Sequence, residues 1–266
     1  MKKIITLAAC ALMAVSVFTS CGAKTYATNV KDIQKNGQLV IGLDDTFAPM
    51  GFREANGDLV GFDIDLANEV CAILGVKANF KTIDWNAKEM ELASGNIDCV
   101  WNGMSITEER QKSMSLTQAY LNNKIIVMTN TGVTISDKKA LKDYNIGIQA
   151  GSAALEVVMA DENYPELKDK ITEYPTYDEV ILDMKAGRLD CMIIDEVFGS
   201  YKNAKMGNPY TVSPVDFGDD LYAVGLRKGD KELTDAINTA MNTLIENGKA
   251  KAISEKWFGA DIVVKP

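Results

Sequence analysis

Short, almost continuously apolar segments alternate along this chain with stretches whose apolar residues recur at helical spacing. The segment QLVIGL at Gln38–Leu43 is typical of a strand buried on both faces. In residues 63–74 the apolar side chains fall on one helical stripe, and Gly75 stands where a helix would end. Residues 77–82 have the pattern of another strand. This order of strand, helix and strand predicts an α/β fold with mixed, mostly parallel sheets.

The second half of the chain repeats the alternation. Strand patterns at residues 144–149 and 191–194 flank helical patterns at residues 153–160 and 178–186. A long amphipathic helix is predicted at residues 231–247. The chain therefore carries two α/β units of similar design.

Two segments of the chain resemble each other. ASGNIDCVWNG at residues 93–103 and KAGRLDCMIID at residues 185–195 each combine a helix end, a glycine, an aspartate and a strand with a cysteine. Two lobes built alike would produce this similarity, although two helix-to-strand junctions can also resemble each other by chance. We predict a first lobe of residues 37–127 and 220–266, a second lobe of residues 128–219, and hinges near residues 127–130 and 216–221.

The N-terminus has the pattern of an export signal. Lys2 and Lys3 precede an apolar stretch at residues 4–18, which is too short to span a bilayer. Small polar residues and Cys21 follow, and this junction resembles the bacterial lipobox, with Phe18 in place of the usual leucine. We predict a signal peptide at residues 1–20 and a lipidated tether at residues 21–36; the alternative is an ordinary signal peptide with a chance cysteine.

Charge and residue usage exclude several classes of function. The formal net charge is −9, and removal of Lys2 and Lys3 with the signal peptide makes it −11, which argues against binding to nucleic acid. The chain contains no histidine, so the usual zinc sites and Ser–His–Asp or Cys–His sites are excluded. Cys71, Cys99 and Cys191 lie in apolar runs, and we interpret them as small buried side chains.

Polar residues follow each predicted strand. Ligands of open α/β sheets bind in the crevice at the carboxyl ends of the strands. The residues found there are acids, an aromatic pair, hydroxyls, glycine and one arginine. This set suits a small zwitterion, with arginine for its carboxylate, aspartate for its ammonium group and aromatic rings for its aliphatic part.

Four motifs make the interpretation more specific. They are GFDIDL at residues 61–66, GMSITEER at residues 103–110, QAGS at residues 149–152 and the segment at residues 190–195. With these motifs the chain resembles the polar-amino-acid-binding family of extracytoplasmic solute-binding proteins of ABC importers. The resemblance implies a two-lobed type II periplasmic-binding fold with two hinge strands. It also implies a free amino acid as ligand, a membrane permease and a cytoplasmic ATPase as partners, no cofactor, and a monomer.

The resemblance implies the residues that hold the ligand's head group. Arg110 would grip the carboxylate, Asp195 would pair with the α-ammonium, and Gly103 would bring its backbone close to the ligand. Ser105, Ser152 and the backbone of Ala153 would also bind the carboxylate. Alternative roles are a surface ion pair of Arg110 with Glu108 or Glu109, and helix N-caps for Asp195 and Ser152.

The resemblance likewise implies the residues around the ligand's side chain. Phe47 and Trp85 would enclose it, and Asp44 would reach its distal end; core packing is the alternative for the two aromatic residues. Asn102 and Gln149 are neutral amides, which favours an uncharged polar ligand such as glutamine or cystine. A cationic ligand remains open because of Asp44 and the aromatic pair. We interpret GFDIDL as structural.

Two other functions compete with transport. Some relatives of this fold are periplasmic dehydratases, but the obvious acids of the cleft are already assigned to zwitterion contacts, so we expect a binding protein and not an enzyme. A stand-alone sensor or surface adhesin is the second alternative. The expected location is outside the cytoplasm, with the protein anchored to the cell membrane by its lipid.

We predict that a Cys21→Ser variant loses its lipid and is released from the membrane, because the acylated cysteine is the expected anchor. Fractionation of cells with an antibody against the protein measures this. A Cys71→Ser variant, which keeps Cys21, is the control. If Cys21→Ser remained in the membrane fraction, the lipoprotein interpretation would be wrong.

Overall fold

The computed structural model describes residues 30–265. The predicted signal peptide, Cys21 and most of the predicted tether lie outside this range. Residues 30–36, which we assigned to the tether, instead form a helix whose Ile33 is buried. The apolar side chain of Ile33 explains the difference, because it packs into the core.

The structure alternates helices and strands throughout. The helices are α1 (Val30–Asn36), α2 (Phe62–Leu74), α3 (Lys88–Ala93), α4 (Glu108–Ser113), α5 (Ala153–Ala160), α6 (Tyr164–Leu167), α7 (Tyr177–Lys185), α8 (Glu196–Lys205), α9 (Lys231–Glu246) and α10 (Lys249–Phe258). The strands are β1 (Gln38–Leu43), β2 (Thr46–Phe47), β3 (Gly51–Arg53), β4 (Leu59–Val60), β5 (Lys77–Thr82), β6 (Cys99–Val100), β7 (Met114–Leu116), β8 (Leu121–Asn130), β9 (Ile146–Gln149), β10 (Ile171–Tyr174), β11 (Cys191–Asp195), β12 (Tyr210–Tyr222) and β13 (Gly225–Arg227).

Two five-stranded sheets organise the chain. We call the part built on the order β5-β1-β6-β13-β7 the first lobe, and the part built on β10-β9-β11-β8-β12 the second lobe. In each sheet two pairings are parallel and two are antiparallel. The sheets are mixed, as expected, but they are not mostly parallel, because β13 in the first sheet and β8 in the second run antiparallel to both of their neighbours. A small antiparallel sheet, β2-β3-β4, adjoins the first lobe.

The two similar segments occupy equivalent places in the two lobes. Gly95 and Gly187 both have positive φ, 74° and 69°, and each stands between a helix and a central strand. Asp98 accepts a hydrogen bond from the Val40 N–H at 2.9 Å. Its counterpart Asp190 accepts one from the Asn145 N–H at 2.7 Å. In each sheet the repeat therefore places an aspartate, which accepts a hydrogen bond from a backbone N–H, beside the central strand.

The strands β8 and β12 form one long antiparallel ribbon at the passage between the lobes. Met128 and Thr129 pair with β12 on one side and with β11 on the other, and Val127 pairs with β11, so this part of the predicted hinge lies inside the second sheet. Residues 122–124 pair with β12 alone, and Leu121 pairs with β12 and also forms a bridge to Val263, which places the passage nearer the start of β8. Residues 216–221 lie in β12, where the register shifts around Asp216.

Apolar burial explains the remaining elements. The α9 helix buries Leu233, Ile237 and Leu244 on one stripe against the first lobe, as its sequence pattern predicts. Cys71, Cys99 and Cys191 are buried and unpaired, which confirms that they act as small core side chains. Within residues 30–265 no helix is both long and apolar enough to cross a membrane.

Candidate functional site

A cavity lies where the two lobes meet. All eleven residues that we selected from the sequence line it. They are Asp44, Phe47, Trp85, Asn102, Gly103, Ser105, Arg110, Gln149, Ser152, Ala153 and Asp195. Most follow the carboxyl ends of β1, β6, β9 and β11, where polar side chains of parallel strands converge. Their contact with a ligand stays a prediction.

Arg110 is buried in the wall of the cavity, with 1% of its surface exposed. Thr107 caps α4 and thereby starts the short helix that carries Arg110. The guanidinium donates to the Ser105 carbonyl at 3.0 Å and pairs with Glu156 of the second lobe at 3.1 Å. The alternative of a surface ion pair with Glu108 or Glu109 is therefore wrong. The Nε atom has no partner among the described residues, which leaves it able to donate to a ligand.

Asp195 ends β11 and is also buried. It stands at the N-cap position of α8, but its side chain caps no backbone N–H, so the capping alternative is wrong. Its Oδ1 atom accepts hydrogen bonds from Asn123 at 2.7 Å and Tyr222 at 2.8 Å. Burial raises the pKa of Asp195 to about 7, the charge of Asp220 adds to the shift, and the Tyr222 hydrogen bond opposes it.

Ser105 and Ser152 make hydrogen bonds within the protein. Ser105 Oγ donates to Asp220 at 2.6 Å, a partner that the sequence did not indicate. Ser152 Oγ accepts from the Leu155 N–H at 3.1 Å and so caps α5, as the alternative interpretation proposed. Because its oxygen accepts in this cap, its O–H remains able to donate to a carboxylate. Ala153 begins the same helix, whose N-terminus favours an anion.

Asp44, Asn102 and Gln149 form one polar group on the cavity wall. Gln149 donates to Asp44 Oδ2 at 2.9 Å, and Thr46 donates to Asp44 Oδ1 from both its N–H and its hydroxyl. Asn102 accepts from the Asp44 N–H at 3.1 Å, while its Nδ2 has no partner among the described residues. Burial raises the pKa of Asp44 against these hydrogen bonds. No cation of residues 30–265 forms an ion pair with it.

The two aromatic residues lie in different surroundings. The Phe47 ring stacks on Phe198 of the second lobe, with centroids 4.9 Å apart. Trp85 begins a 3₁₀ turn that Asp84 caps, and its ring lies under the ammonium group of Lys88, 5.2 Å from the centroid. Phe47 thus takes part in core packing across the cleft while it also lines the cavity.

Comparisons with known proteins agree with this architecture. The model of a family described as "Bacterial extracellular solute-binding proteins, family 3" matches residues 39–260. This chain belongs to that family. The L-cystine-binding protein TcyJ of Escherichia coli K12 is 29% identical over 94% of both chains. The lysine/arginine/ornithine-binding periplasmic protein of the same organism is 30% identical over 91% of this chain and 94% of its own.

Solved structures of this family share the fold. An ABC uptake transporter substrate-binding protein from Streptococcus pneumoniae with bound histidine is 37% identical. The comparison covers 88% of this chain and 98% of that chain with a TM-score of 0.83. The architecture is therefore the type II periplasmic-binding fold that the sequence predicted.

Several residues that contact the lining of this cavity escaped the sequence analysis. Lys88 is buried and donates to the Gly151 carbonyl of the second lobe at 2.9 Å. Burial and the charge of Arg110 lower its pKa to about 8, against the charge of Glu89. Lys88 follows Trp85 by one helical turn, and Glu156 follows Ser152 by one turn. Sequence analysis could have found both residues from this spacing.

Asn123, Asp220 and Tyr222 also escaped prediction. They come from β8 and β12, and they surround Asp195 and Ser105. No motif marks them, because they reach the site only when the ribbon passes between the lobes. Within residues 30–265 no group of side chains is arranged to hold a metal ion.

We predict that Asp195→Asn stabilises the ligand-free protein at pH 8. Aspartate in an unfolded chain has a pKa of about 3.9, whereas the folded pKa of Asp195 is about 7. Between these values the folded state binds the extra proton, so the stability contribution of Asp195 falls as the pH rises to 7. Asparagine removes the cost of a buried charge and keeps an oxygen for Asn123 and Tyr222.

Thermal unfolding measures this effect. At pH 8 the variant should unfold several degrees above the wild type, on a scale of roughly 2–4 °C per kcal/mol. At pH 5 the carboxyl is protonated in the folded state but still ionised in the unfolded state, so the difference should fall to roughly a third of its value at pH 8. An equal difference at both pH values would contradict the assigned pKa.

Proposed function

We propose that this protein is the extracytoplasmic amino-acid-binding component of an ABC importer. The observation that carries the proposal is a cavity between two lobes that holds Arg110 and Asp195, two buried groups of opposite charge. An amino acid presents a carboxylate and an ammonium group a short distance apart. Arg110 would bind the first with its free Nε–H, and Asp195 would bind the second with its Oδ2.

The family supports this role for the site. Its members are extracellular solute-binding proteins, and the relatives named above bind cystine, the cationic amino acids or histidine. By analogy, this chain delivers its ligand to a membrane permease driven by a cytoplasmic ATPase. We also propose that the mature protein is a monomer held at the membrane through lipid on Cys21.

The charges of the residues that line the cavity change which ligand side chain we expect. The sequence favoured an uncharged side chain because Asn102 and Gln149 are neutral amides. Both amides, however, hydrogen-bond with Asp44, which remains a buried acid with only neutral partners. The cavity lining carries one arginine and two aspartates, so a zwitterion leaves one negative charge uncompensated. Because a buried charge is costly without a partner, we favour a ligand with a cationic side chain.

An enzymatic role has less support. A positioned acid or base is required for dehydratase chemistry, and in our proposal Asp195 and Asp44 would both be engaged by an amino acid. One related structure is an ancestral amino acid-binding protein described as a precursor of cyclohexadienyl dehydratase, at 30% identity. The relatives compared above are binding proteins, and we propose that this chain is one as well.

A thermal-shift screen of the standard amino acids, ornithine and cystine tests the ligand. We expect the largest shifts with lysine, arginine, ornithine or histidine, because a ligand at 100 times its dissociation constant adds roughly 2.7 kcal/mol. Asp44→Asn should reduce these shifts while it preserves any shift with glutamine. Arg110→Ala should abolish binding of every amino acid.

The proposed charge of the ligand side chain and the proposed amino-acid-binding function can be contradicted separately. A larger shift with glutamine or cystine than with any cationic amino acid would restore the uncharged ligand. If no amino acid stabilised the wild-type protein, the amino-acid-binding function itself would be wrong. Circular dichroism of both variants verifies that they are folded.

We further predict that ligand binding closes the cleft. Binding groups come from both lobes, so the ligand has a higher affinity for the closed arrangement and shifts the equilibrium towards it. Small-angle X-ray scattering should show a smaller radius of gyration with saturating ligand. Arg110→Ala, which should not bind, is the control, and an unchanged profile of the wild type would contradict closure.

A further inference from the structure

Two acids are joined by one amide beside the cavity. Asp195 of β11 lines the cavity, whereas Asp220 of β12 is not among its lining residues. Asn123 Nδ2 donates to Asp195 Oδ1 at 2.7 Å and to Asp220 Oδ2 at 2.8 Å. The two carboxylate oxygens are therefore at most 5.5 Å apart, the sum of these two distances. Asn123 and Asp220 are also cross-strand partners in the β8–β12 ribbon, so backbone pairing holds both side chains on one face.

Only neutral groups donate to these two acids within the part of the chain that the structure describes. Asp195 accepts from Asn123 and from Tyr222, the latter at 2.8 Å. Asp220 accepts from Asn123 and from Ser105, the latter at 2.6 Å. Two carboxylates this close, removed from water and without a cation as hydrogen-bond partner, are costly to ionise together. The pair therefore favours one proton and one negative charge.

The proton of this pair is best placed on Asp195. Burial raises the pKa of Asp195 to about 7, and the charge of Asp220 adds to the shift. Burial also raises the pKa of Asp220, against its hydrogen bonds from Asn123 and Ser105. Asp195 is the more deeply buried of the two acids. Both of its donors reach Oδ1, so Oδ2 is left to carry the proton.

The other titratable groups around the pair do not replace this proton. The charge of Arg110 in α4 opposes the raised pKa of both acids, but its guanidinium is already paired with Glu156 of α5. Tyr222 of β12 and Tyr177 of α7 stay neutral, because burial raises the pKa of each phenol well above its usual value. The charged side chains next to the pair along the chain are the exposed Glu196 and Asp219, and Lys124, which pairs with Asp216.

A ligand ammonium group would bring to Asp195 the positive charge that the pair lacks. We infer that the Asp195–Asp220 pair of the ligand-free protein holds one proton and that binding of an amino acid expels this proton to the solvent. The O–H bond of Asp195 breaks, the carboxylate keeps the electron pair, and a buffer base takes the proton. Asp220, which belongs to the hinge ribbon and not to the cavity lining, raises the pH at which the proton leaves. The inference rests on the proposed amino-acid-binding function and makes that binding dependent on pH.

Isothermal titration calorimetry in buffers of different ionisation enthalpy measures the released protons. The probe is the amino acid with the largest shift in the thermal-shift screen, and its own protonation change, known from its free titration, is subtracted. With a pKa of about 7 in the ligand-free protein, about 0.9 proton per ligand should be released at pH 6 and about 0.1 at pH 8. Because the ligand must displace this proton, its affinity should fall roughly 50-fold from pH 7 to pH 5.

Variants of β12 test the part played by Asp220. Asp220→Asn removes one of the two neighbouring charges, so the midpoint of proton release should move down by about one pH unit. Release at pH 6 should then fall to roughly half a proton. Asp219→Asn removes the same charge from the adjacent, exposed position of the strand and should leave proton release unchanged. Asp220→Ser replaces Asp220→Asn if circular dichroism shows that the latter is not folded.

The outcomes separate the inference from the proposed function. If the wild type bound its amino acid and released equal amounts of proton at pH 6 and pH 8, the inference would be overturned and the proposed function would stand. Proton release by the Asp220 variant equal to that of the wild type would remove Asp220 from the pair. An equal decrease in Asp219→Asn and Asp220→Asn would assign the effect to net charge and would also overturn the inference. If the wild type bound no amino acid, both would fail.

Discussion

Charged side chains enclosed between the two lobes must each find a partner, and this requirement shapes the whole site. Arg110 pairs with Glu156 across the cleft. Within residues 30–265 the hydrogen-bond donors to Asp44 and Asp195 are all neutral, and burial raises both pKa values. Groups in such surroundings reduce the stability of the ligand-free protein. Their retention at one cavity is understandable if a ligand supplies the missing charge, as at other functional sites with perturbed pKa values.

Contacts between the lobes connect this electrostatic arrangement to movement. Lys88 reaches the Gly151 carbonyl, Gln149 reaches Asp44, and Arg110 reaches Glu156. All three contacts join the first lobe to the second, so opening of the cleft would break them together. A ligand between the lobes would add further contacts of the same kind. The ribbon of β8 and β12 is the continuous connection that survives such a movement.

The elements missed by sequence analysis have physical reasons. The strand β12 contains Pro214 and Gly218, which disfavour a strand locally, yet its pairing with β8 extends from Tyr210 to Tyr222. The helix α8 contains Gly199, which lowers helix propensity. A Cβ atom at Gly199 would approach Met128 Sδ to 2.8 Å, so the glycine allows close packing of α8 on β8. In both elements tertiary contacts outweigh local preference.

The sequence by itself determined the α/β alternation, with β1, β5 and α5 at the predicted bounds, and its resemblance to a known family implied the eleven residues that line the cavity. Apolar periodicity, glycine stops and the chemistry at strand ends are local properties, so a sequence displays them directly. The tertiary structure determined which side chains and backbone groups contact each other around the cavity. Asp63 binds the Gly103 N–H from 40 residues away, and Arg110 meets Glu156 only across the cleft. Such partners depend on how two sheets approach each other, and burial then determines the charge that each group carries.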